Sequence, residues 1–267
     1  MKTILSRSNR IRLLILFLAL PSLIGANDKG LAHEEISEKD FTIREEMVPM
    51  RDGVRLYTLI LSPMDTTQPM PVILLRTPYN AKRTAGNLSA SSLKAALGTR
   101  YLGPDYIYVF QDIRGRFKSE GDYFMYRAPR GPFNTTSTDE TTDAWDSIDW
   151  LVHSLSTNGR VGIWGTSYPG WLTLAAMRDP HPALAAAVPF NPVVDAWKAD
   201  DWFHGGAFRG FYAFDFIYGM ETRTDAPTNY PNEQNEIYSR MLPQGALGPS
   251  LGARLAERHQ QWPWLRE

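Results

Sequence analysis

Short apolar runs recur through the middle of the chain, separated by polar and turn-forming stretches. Met70 to Leu75, Tyr106 to Phe110 and Val161 to Trp164 are nearly continuous in apolar character, the mark of strands covered on both faces. Ala185 to Phe190 reads as a fourth run of this kind. Upstream, Met50-Arg51-Asp52-Gly53-Val54 predicts a hairpin turn, because Asp-Gly is a preferred turn pair and Val54 to Leu61 resume a β-prone pattern. Residues 27–40 are polar and charged and read as a loose leader into the fold.

Between the runs the period changes. From Glu140 to His153, Ala144, Trp145, Ile148, Leu151 and Val152 fall at three- and four-residue steps, with acids early, where a helix dipole favours them. Trp171 to Met177 predict a second, Ala-rich helix stopped by Asp179-Pro180. Strands alternating with helices imply an α/β class with a mostly parallel sheet and right-handed crossovers. From about residue 205, Gly, Pro and aromatic residues interleave without a strand period, which reads as a lid or cap. There is no internal repeat and no low-complexity tract.

A chain of 267 residues, 43% hydrophobic and 21% charged, has the composition of a globular protein with a sizeable core. It contains no cysteine, which excludes disulfides, thiolate metal sites and a Cys nucleophile. At the N-terminus, Lys2, Arg7, Arg10 and Arg12 precede the apolar run Leu13 to Leu20, Pro21 and the small pair Gly25-Ala26. This is the plan of a signal peptide over residues 1–26, too short in its apolar part to span a membrane, so a periplasmic or secreted protein without a stable membrane anchor is expected. Residues 1–26 hold four of the basic residues and no acid, so their removal moves the net charge from −1 to −5. A mildly acidic chain has no electrostatic footprint for nucleic acid.

The strongest chemical signal is Gly165-Thr166-Ser167-Tyr168-Pro169-Gly170. It follows an expected strand and opens an expected helix, the context of a nucleophile elbow. Such a turn strains its central residue, so its neighbours must be small, and Gly165 and Gly170 meet that need. The Tyr168 N–H would then stand at the helix N-terminus, where it has no intrahelical acceptor and faces a developing oxyanion. The second glycine lies three residues after the serine, whereas the commonest form of the motif has it two after.

Several segments carry a resemblance to a known family: Arg51-Asp52-Gly53-Val54-Arg55-Leu56, Arg76-Thr77-Pro78-Tyr79, Gln111-Asp112-Ile113-Arg114-Gly115-Arg116 and Ser119-Glu120-Gly121. Asp143-Ala144-Trp145-Asp146, the elbow itself, and the run from Asp200 to Arg209 continue the series in the family's order. On these residues the chain resembles the cocaine esterase and α-amino-acid ester hydrolase family, of CocE/NonD type, related to the Xaa-Pro dipeptidyl-peptidases. The resemblance implies an α/β-hydrolase fold and a serine hydrolase of esterase, amidase or dipeptidyl-peptidase type, acting through an acyl-enzyme on small esters, amides or peptides. It implies no cofactor and no metal, and its members are often homo-oligomers.

Carried over by position, the resemblance makes Ser167 the nucleophile, and the Tyr79 hydroxyl and the Tyr168 N–H the oxyanion donors. It makes Asp201 a substrate-binding carboxylate for an α-ammonium group. On the residues alone, the Asp200-Asp201 pair equally suits a solvated loop end. The stretch Asp112 to Arg116 reads as an Asp–Arg pair pinning a loop, and Trp145, Trp150 and Trp164 read as core.

The triad order in this fold is Ser, then acid, then His. Of the histidines after Ser167, His181 lies between prolines and predicts a surface turn. His204 belongs to the acidic segment, and His259 has no apolar run before it. The resemblance therefore covers only an N-terminal part of the family, and the sequence predicts an α/β-hydrolase truncated within or after the start of its helical cap. Residues 27–204 would form the hydrolase part and 205–267 the start of the cap. The alternative is a catalytically inactive fragment or binding remnant that lacks the triad acid and His.

Overall fold

The Asp52-Gly53 pair closes a hairpin. Met50 N–H donates to the Val54 carbonyl at 2.8 Å and Gly53 N–H to the Met50 carbonyl at 2.9 Å. The turn joins β1 (Phe41–Pro49) to β2 (Arg55–Pro63), which pair antiparallel from Pro49↔Arg55 outward. The computed structural model describes residues 41–64, 68–85, 105–195, 198, 201, 203–208, 216 and 220. The expected signal peptide, the leader at 27–40, His259 and most of the expected cap lie outside the described residues.

β3 (Met70–Thr77), β4 (Ile107–Asp112), β5 (Thr157–Thr166) and β6 (Leu184–Phe190) complete a six-stranded sheet in the order β1-β2-β4-β3-β5-β6. The first two neighbour pairs are antiparallel and the remaining three parallel. Among the described residues the helices are α1 (Ala81–Thr84), α2 (Glu140–Ser154) and α3 (Tyr168–Arg178). This is the α/β-hydrolase arrangement expected from the alternating periods.

The apolar runs fill both faces. Val72, Leu74, Ile107, Val109, Val161 and Ile163 pack with Ala144, Ile148 and Leu151 of α2 and Ala176 of α3. Leu75, Tyr108, Phe110, Leu59, Leu61 and Phe41 point the other way, onto Ala81 and Ala85. Successive strand residues alternate between faces, so a strand covered on both sides has no polar phase. β4 is buried at every position. α2 starts where its sequence allows: the Asp139 carboxylate accepts from Thr142 N–H while the Thr142 hydroxyl accepts from Asp139 N–H, both at 2.9 Å, a reciprocal cap.

Three expectations need correction. The Ala185–Phe190 run is a strand, but it is not buried on both faces: Val188 is 45% and Phe190 52% exposed. Among the described residues β6 pairs with β5 alone and so lies at an edge. His181 does sit in a turn, yet it is buried and not on the surface. Its Nδ1 accepts from Ala183 N–H at 3.0 Å, its Nε2 faces Asp149 at 3.3 Å, and its ring stands edge-on to Trp145. Finally, a two-residue hairpin, β7 (Phe203–His204) with β8 (Ala207–Phe208), forms where no strand period is visible.

Charges are buried where β3 and β4 end. Arg76 is 1% exposed; it pairs with the Glu140 carboxylate at 3.1 Å and donates to the Gln111 side chain and the Glu140 carbonyl. Arg114 forks across two acids, Asp143 and Asp52, each with a contact of 2.7 Å. The pinning role expected for the Asp112–Arg116 stretch thus has different partners. Arg114 ties the loop to α2 and the β1–β2 turn, while the Asp112 carboxylate accepts from Ala81 N–H at 2.6 Å.

Two outcomes follow from these buried charges. Replacing Arg114 with Ala leaves the buried Asp143 carboxylate without its cation, so urea unfolding should show a loss of about 3–5 kcal/mol. Burial pushes the Asp112 carboxyl up to about 7, against the Ala81 N–H bond and the Arg116 charge. The folded chain therefore holds this proton where the unfolded chain releases it. The stability it contributes is full below the ordinary carboxyl value of 3.8 and is lost as pH rises through about 7. Asp112→Asn keeps the acceptor without the ionisation. Its stability relative to the parent should rise between about pH 4 and 7 and level off above that, by roughly 1 kcal/mol per pH unit inside the window, read from urea midpoints at each pH.

Candidate active site at the strand ends

Parallel pairing brings the C-terminal ends of β3, β4, β5 and β6 to one edge of the sheet. Thr77 is paired with Asp112, and Thr166 with Phe190. The segments leaving these strands hold Tyr79, residues 113–126, Ser167 and residues 191–195. In open α/β sheets this edge is where ligands bind.

Ser167 sits between β5 and α3 with φ 63° and ψ −122°. A residue with a Cβ held there stores about 1–3 kcal/mol of strain, which its surroundings must impose. They do so through both backbone groups: Ser167 N–H donates to the Phe190 carbonyl and its carbonyl accepts from Trp171 N–H, each at 3.0 Å. Serine at a helix start usually caps the first turn with its hydroxyl, but the Ser167 side chain makes no such bond. Its hydroxyl is left for other chemistry, and the residue is half-buried.

The flanking glycines are required by contact. A Cβ on Gly165 would lie 2.4 Å from the carbonyl carbon of Pro169, and one on Gly170 would lie 2.5 Å from the Phe190 carbonyl oxygen. This also explains the shifted motif. Pro169 occupies the position of the usual second glycine, and Gly165 supplies the space, while Gly170 is the residue that approaches β6. Pro169 has no N–H, which costs nothing at the start of a helix.

Tyr168, the first residue of α3, has a backbone N–H beyond the reach of any intrahelical acceptor. Its side chain is fully buried: the hydroxyl accepts from Tyr126 N–H at 2.7 Å, and its ring stacks on Tyr126 with centroids 4.2 Å apart. Burial first, and then the neighbouring Tyr123 and Glu140, hold its phenol pKa well above the ordinary value. The Tyr79 ring stands edge-on to the Tyr168 ring, with centroids 6.4 Å apart. Two of the residues singled out in the sequence, Tyr79 and Tyr168, therefore meet through their rings, and Tyr168 directly follows the third, Ser167.

Asp201 is half-buried in a bend just before β7. Phe203, two residues on, packs into the same apolar cluster as Tyr79, Tyr168, Trp171 and Met125. Asp200 and Trp202 lie outside the described residues. Of the described histidines, His153 and His181 both approach Asp149, and His204 is exposed on the small hairpin; among the described residues none hydrogen-bonds Ser167.

Sequence reasoning missed the aromatic wall of Tyr123, Tyr126 and Trp171, whose rings surround Tyr168. It also missed Arg116 as part of this site. The Arg116 guanidinium is 4% exposed, lies 4.9 Å over the Tyr123 ring, and donates through Nε to the Pro78 carbonyl at 3.0 Å and through Nη1 to the Met220 carbonyl. Burial lowers its pKa, opposed by the nearby Tyr123, Tyr168, Asp112 and Tyr79. The Arg-Gly-Arg spacing was the visible signal, because two arginines so close to the end of an apolar strand require partners that are not adjacent in sequence.

Residues 52–267 match the model of the family described as X-Pro dipeptidyl-peptidase (S15 family). Cocaine esterase from Rhodococcus sp. (strain MB1 Bresler) is 32% identical over 161 residues, which make up 60% of this chain and 25% of that protein. Among solved structures, an aminopeptidase from the marine sediment archaeon Thaumarchaeota archaeon has a TM-score of 0.67 and 40% identity, covering 82% of this chain and 38% of its own. An α-amino acid ester hydrolase has a TM-score of 0.60 and 39% identity, covering 76% of this chain and 34% of its own. The chain thus spans about a quarter of the length of the curated relative and little more than a third of either solved one. These relatives are, by name, hydrolases of ester or peptide bonds. The elbow, the sheet and a family match over most of the chain agree: the chain belongs to the X-Pro dipeptidyl-peptidase (S15) family of α/β-hydrolases.

Proposed function

We propose that the chain carries the nucleophile and the oxyanion donors of a serine hydrolase that acts on small esters, amides or peptides through an acyl-enzyme at Ser167. The observation that carries this reading is the Ser167 backbone, held at φ 63° with its hydroxyl unused as a cap. In the reaction, the Ser167 Oγ attacks the substrate carbonyl carbon and its proton passes to a base. The carbonyl oxygen takes the negative charge between the Tyr168 N–H and the Tyr79 hydroxyl. Collapse expels the alcohol or amine and leaves the acyl group on Ser167; water then releases the acid. Asp201 would favour substrates with a free α-ammonium group by a charge-assisted bond. The packing of neighbouring Phe203 with Tyr79 and Tyr168 supports that placement.

A second reading has its own observation. His153 and His181 are engaged with Asp149, and His204 is exposed. A chain whose serine lacks a base would bind substrate-like molecules without turning them over. Export through residues 1–26 belongs to either reading, supported by the basic start, the apolar run and Gly25-Ala26.

A fluorophosphonate probe should label the chain at Ser167 and leave Ser167→Ala unlabelled; equal labelling of both would sink the nucleophile assignment. Tyr79→Phe should slow p-nitrophenyl acetate hydrolysis by about 10²–10³-fold. Labelling at Ser167 without any turnover would favour the binding reading. For export, mass spectrometry of the protein recovered from the periplasm or medium of a bacterial host should show a chain starting at Asn27, and an intact Met1 start would refute cleavage there.

A further inference from the structure

The loop that carries Tyr79 is held from one side by the segment after β4. Ile113 N–H donates to the Thr77 carbonyl at 3.0 Å, and Arg116 Nε–H to the Pro78 carbonyl at 3.0 Å. The Asp112 carboxylate accepts from Ala81 N–H at 2.6 Å. Tyr79 lies between these anchors, with its own N–H donating to the Thr77 hydroxyl at 3.0 Å. Asn80, the next residue, has a positive φ of 75°, and its side chain accepts from Arg83 N–H to start α1. A left-handed Asn beside a four-residue helix is not a stiff unit alone. The bonds from residues 112–116 supply the stiffness.

Both side chains in this clamp are buried: Asp112 is 1% and Arg116 4% exposed. A buried carboxyl group and a buried guanidinium are costly groups for fixing an ordinary loop. Neither forms a close side-chain ion pair among the described residues; each is spent on backbone groups flanking Tyr79 or, for Arg116, on the Met220 carbonyl and the Tyr123 face. The Ala81 and Pro78 bonds meet the backbone on the two sides of Tyr79.

We propose that Asp112 and Arg116 are positioning residues that hold the Tyr79 hydroxyl at the oxyanion site by clamping the backbone on both sides of it. The inference rests on the reading of Tyr79 as an oxyanion donor. Preorganisation is what gives such a donor its effect, and displacement of a reacting group by about 1 Å is enough to cost about 10²-fold in rate.

The test is the second-order rate of fluorophosphonate labelling at Ser167, in parallel Tyr79 and Tyr79→Phe backgrounds. Arg116→Lys keeps the charge and loses the Nε–H bond to the Pro78 carbonyl; Asp112→Ala loses the bond to Ala81; Asp112→Asn keeps an acceptor. With Tyr79 present, Arg116→Lys and Asp112→Ala should each slow labelling by about ten- to a hundredfold, and Asp112→Asn should restore most of the rate at pH 8. In the Tyr79→Phe background the same substitutions should change the rate less than about twofold, because the group they position is gone. Equal factors in both backgrounds would overturn the proposal and leave the clamp a role in the fold alone. If Tyr79→Phe by itself leaves labelling unchanged, the oxyanion reading falls and this inference with it, which separates the two failures. Hydrogen exchange gives an answer that needs no activity. Arg116→Lys and Asp112→Ala should speed exchange in residues 77–85 while 70–76 and 107–111 stay protected, and unchanged exchange in 77–85 would also overturn the clamp.

Discussion

The close approach of β5 to the start of α3 is the constraint on which the site depends. Gly165 and Pro169 come so near that a Cβ on Gly165 would overlap the proline backbone at 2.4 Å. A strand cannot turn into a helix this tightly with ordinary dihedrals, so one residue must absorb the reversal, and Ser167 does so at φ 63°. Its conformation is held by the Phe190 carbonyl and the first turn of α3. β6 is thus more than the next strand of the sheet, because its last carbonyl fixes the serine backbone. Gly170, which lets that carbonyl approach, matters for the same reason.

Around this turn the sheet ends in charge where it might have ended in apolar side chains. Arg76 with Glu140, and Arg114 with Asp143, are buried pairs, and Arg114 also reaches the exposed Asp52; their members come from β3, the loop after β4, α2 and the β1–β2 turn. Ion pairs of this kind contribute little net stability over apolar packing, but removing one member is costly. Their effect is to fix the relative placement of four segments, which apolar contacts alone would hold with less angular definition. Burial raises the Glu140 carboxyl, even with Arg76 beside it. A fixed polar layer under the strand ends is the scaffold that a catalytic edge requires.

Local regularities were legible in the sequence, and distant pairings were not. Met70 to Leu75 and Tyr106 to Phe110 announced themselves because a strand covered on both faces leaves no polar phase, and the structure buries β4 throughout. The elbow was legible because its constraint is local: the glycines, the serine and the proline all act within six residues. The exposure of β6 was not legible, since an Ala- and Val-rich run looks the same at an edge and in the centre. Arg114 and Asp52 stand 62 residues apart, so no spacing rule could join them. His181 looked like a surface residue because prolines flank it; its burial comes from Trp145 and Asp149 on α2, whose position depends on the whole sheet. At the site the division is the same. Ser167 and Tyr168 could be placed from the motif, and Tyr79 by resemblance. Arg116 and the Tyr123–Tyr126 wall needed three-dimensional proximity to be seen.

The order of these parts along the chain has a mechanistic consequence. In the proposed site, the nucleophile and both oxyanion donors come from the segments after β5 and β3, and the residues that stiffen them from the segment after β4, which pairs with β3. Three adjacent parallel strands therefore carry the electrostatic part of the site, and the bonds that hold the backbone at Tyr79 and at Ser167 lie between Thr77 and Phe190. Such a unit can be rigid before any substrate arrives, because its hydrogen bonds join protein to protein and wait on no ligand. Proton transfer has a different requirement: a base must reach the Ser167 hydroxyl in the right tautomer and release the proton again. The electrostatic stabilisation is largest when nothing moves, whereas the base must exchange its proton in each half-reaction. That difference is a physical reason for the two functions to be carried by separate segments, and in the proposed site the described residues supply the first.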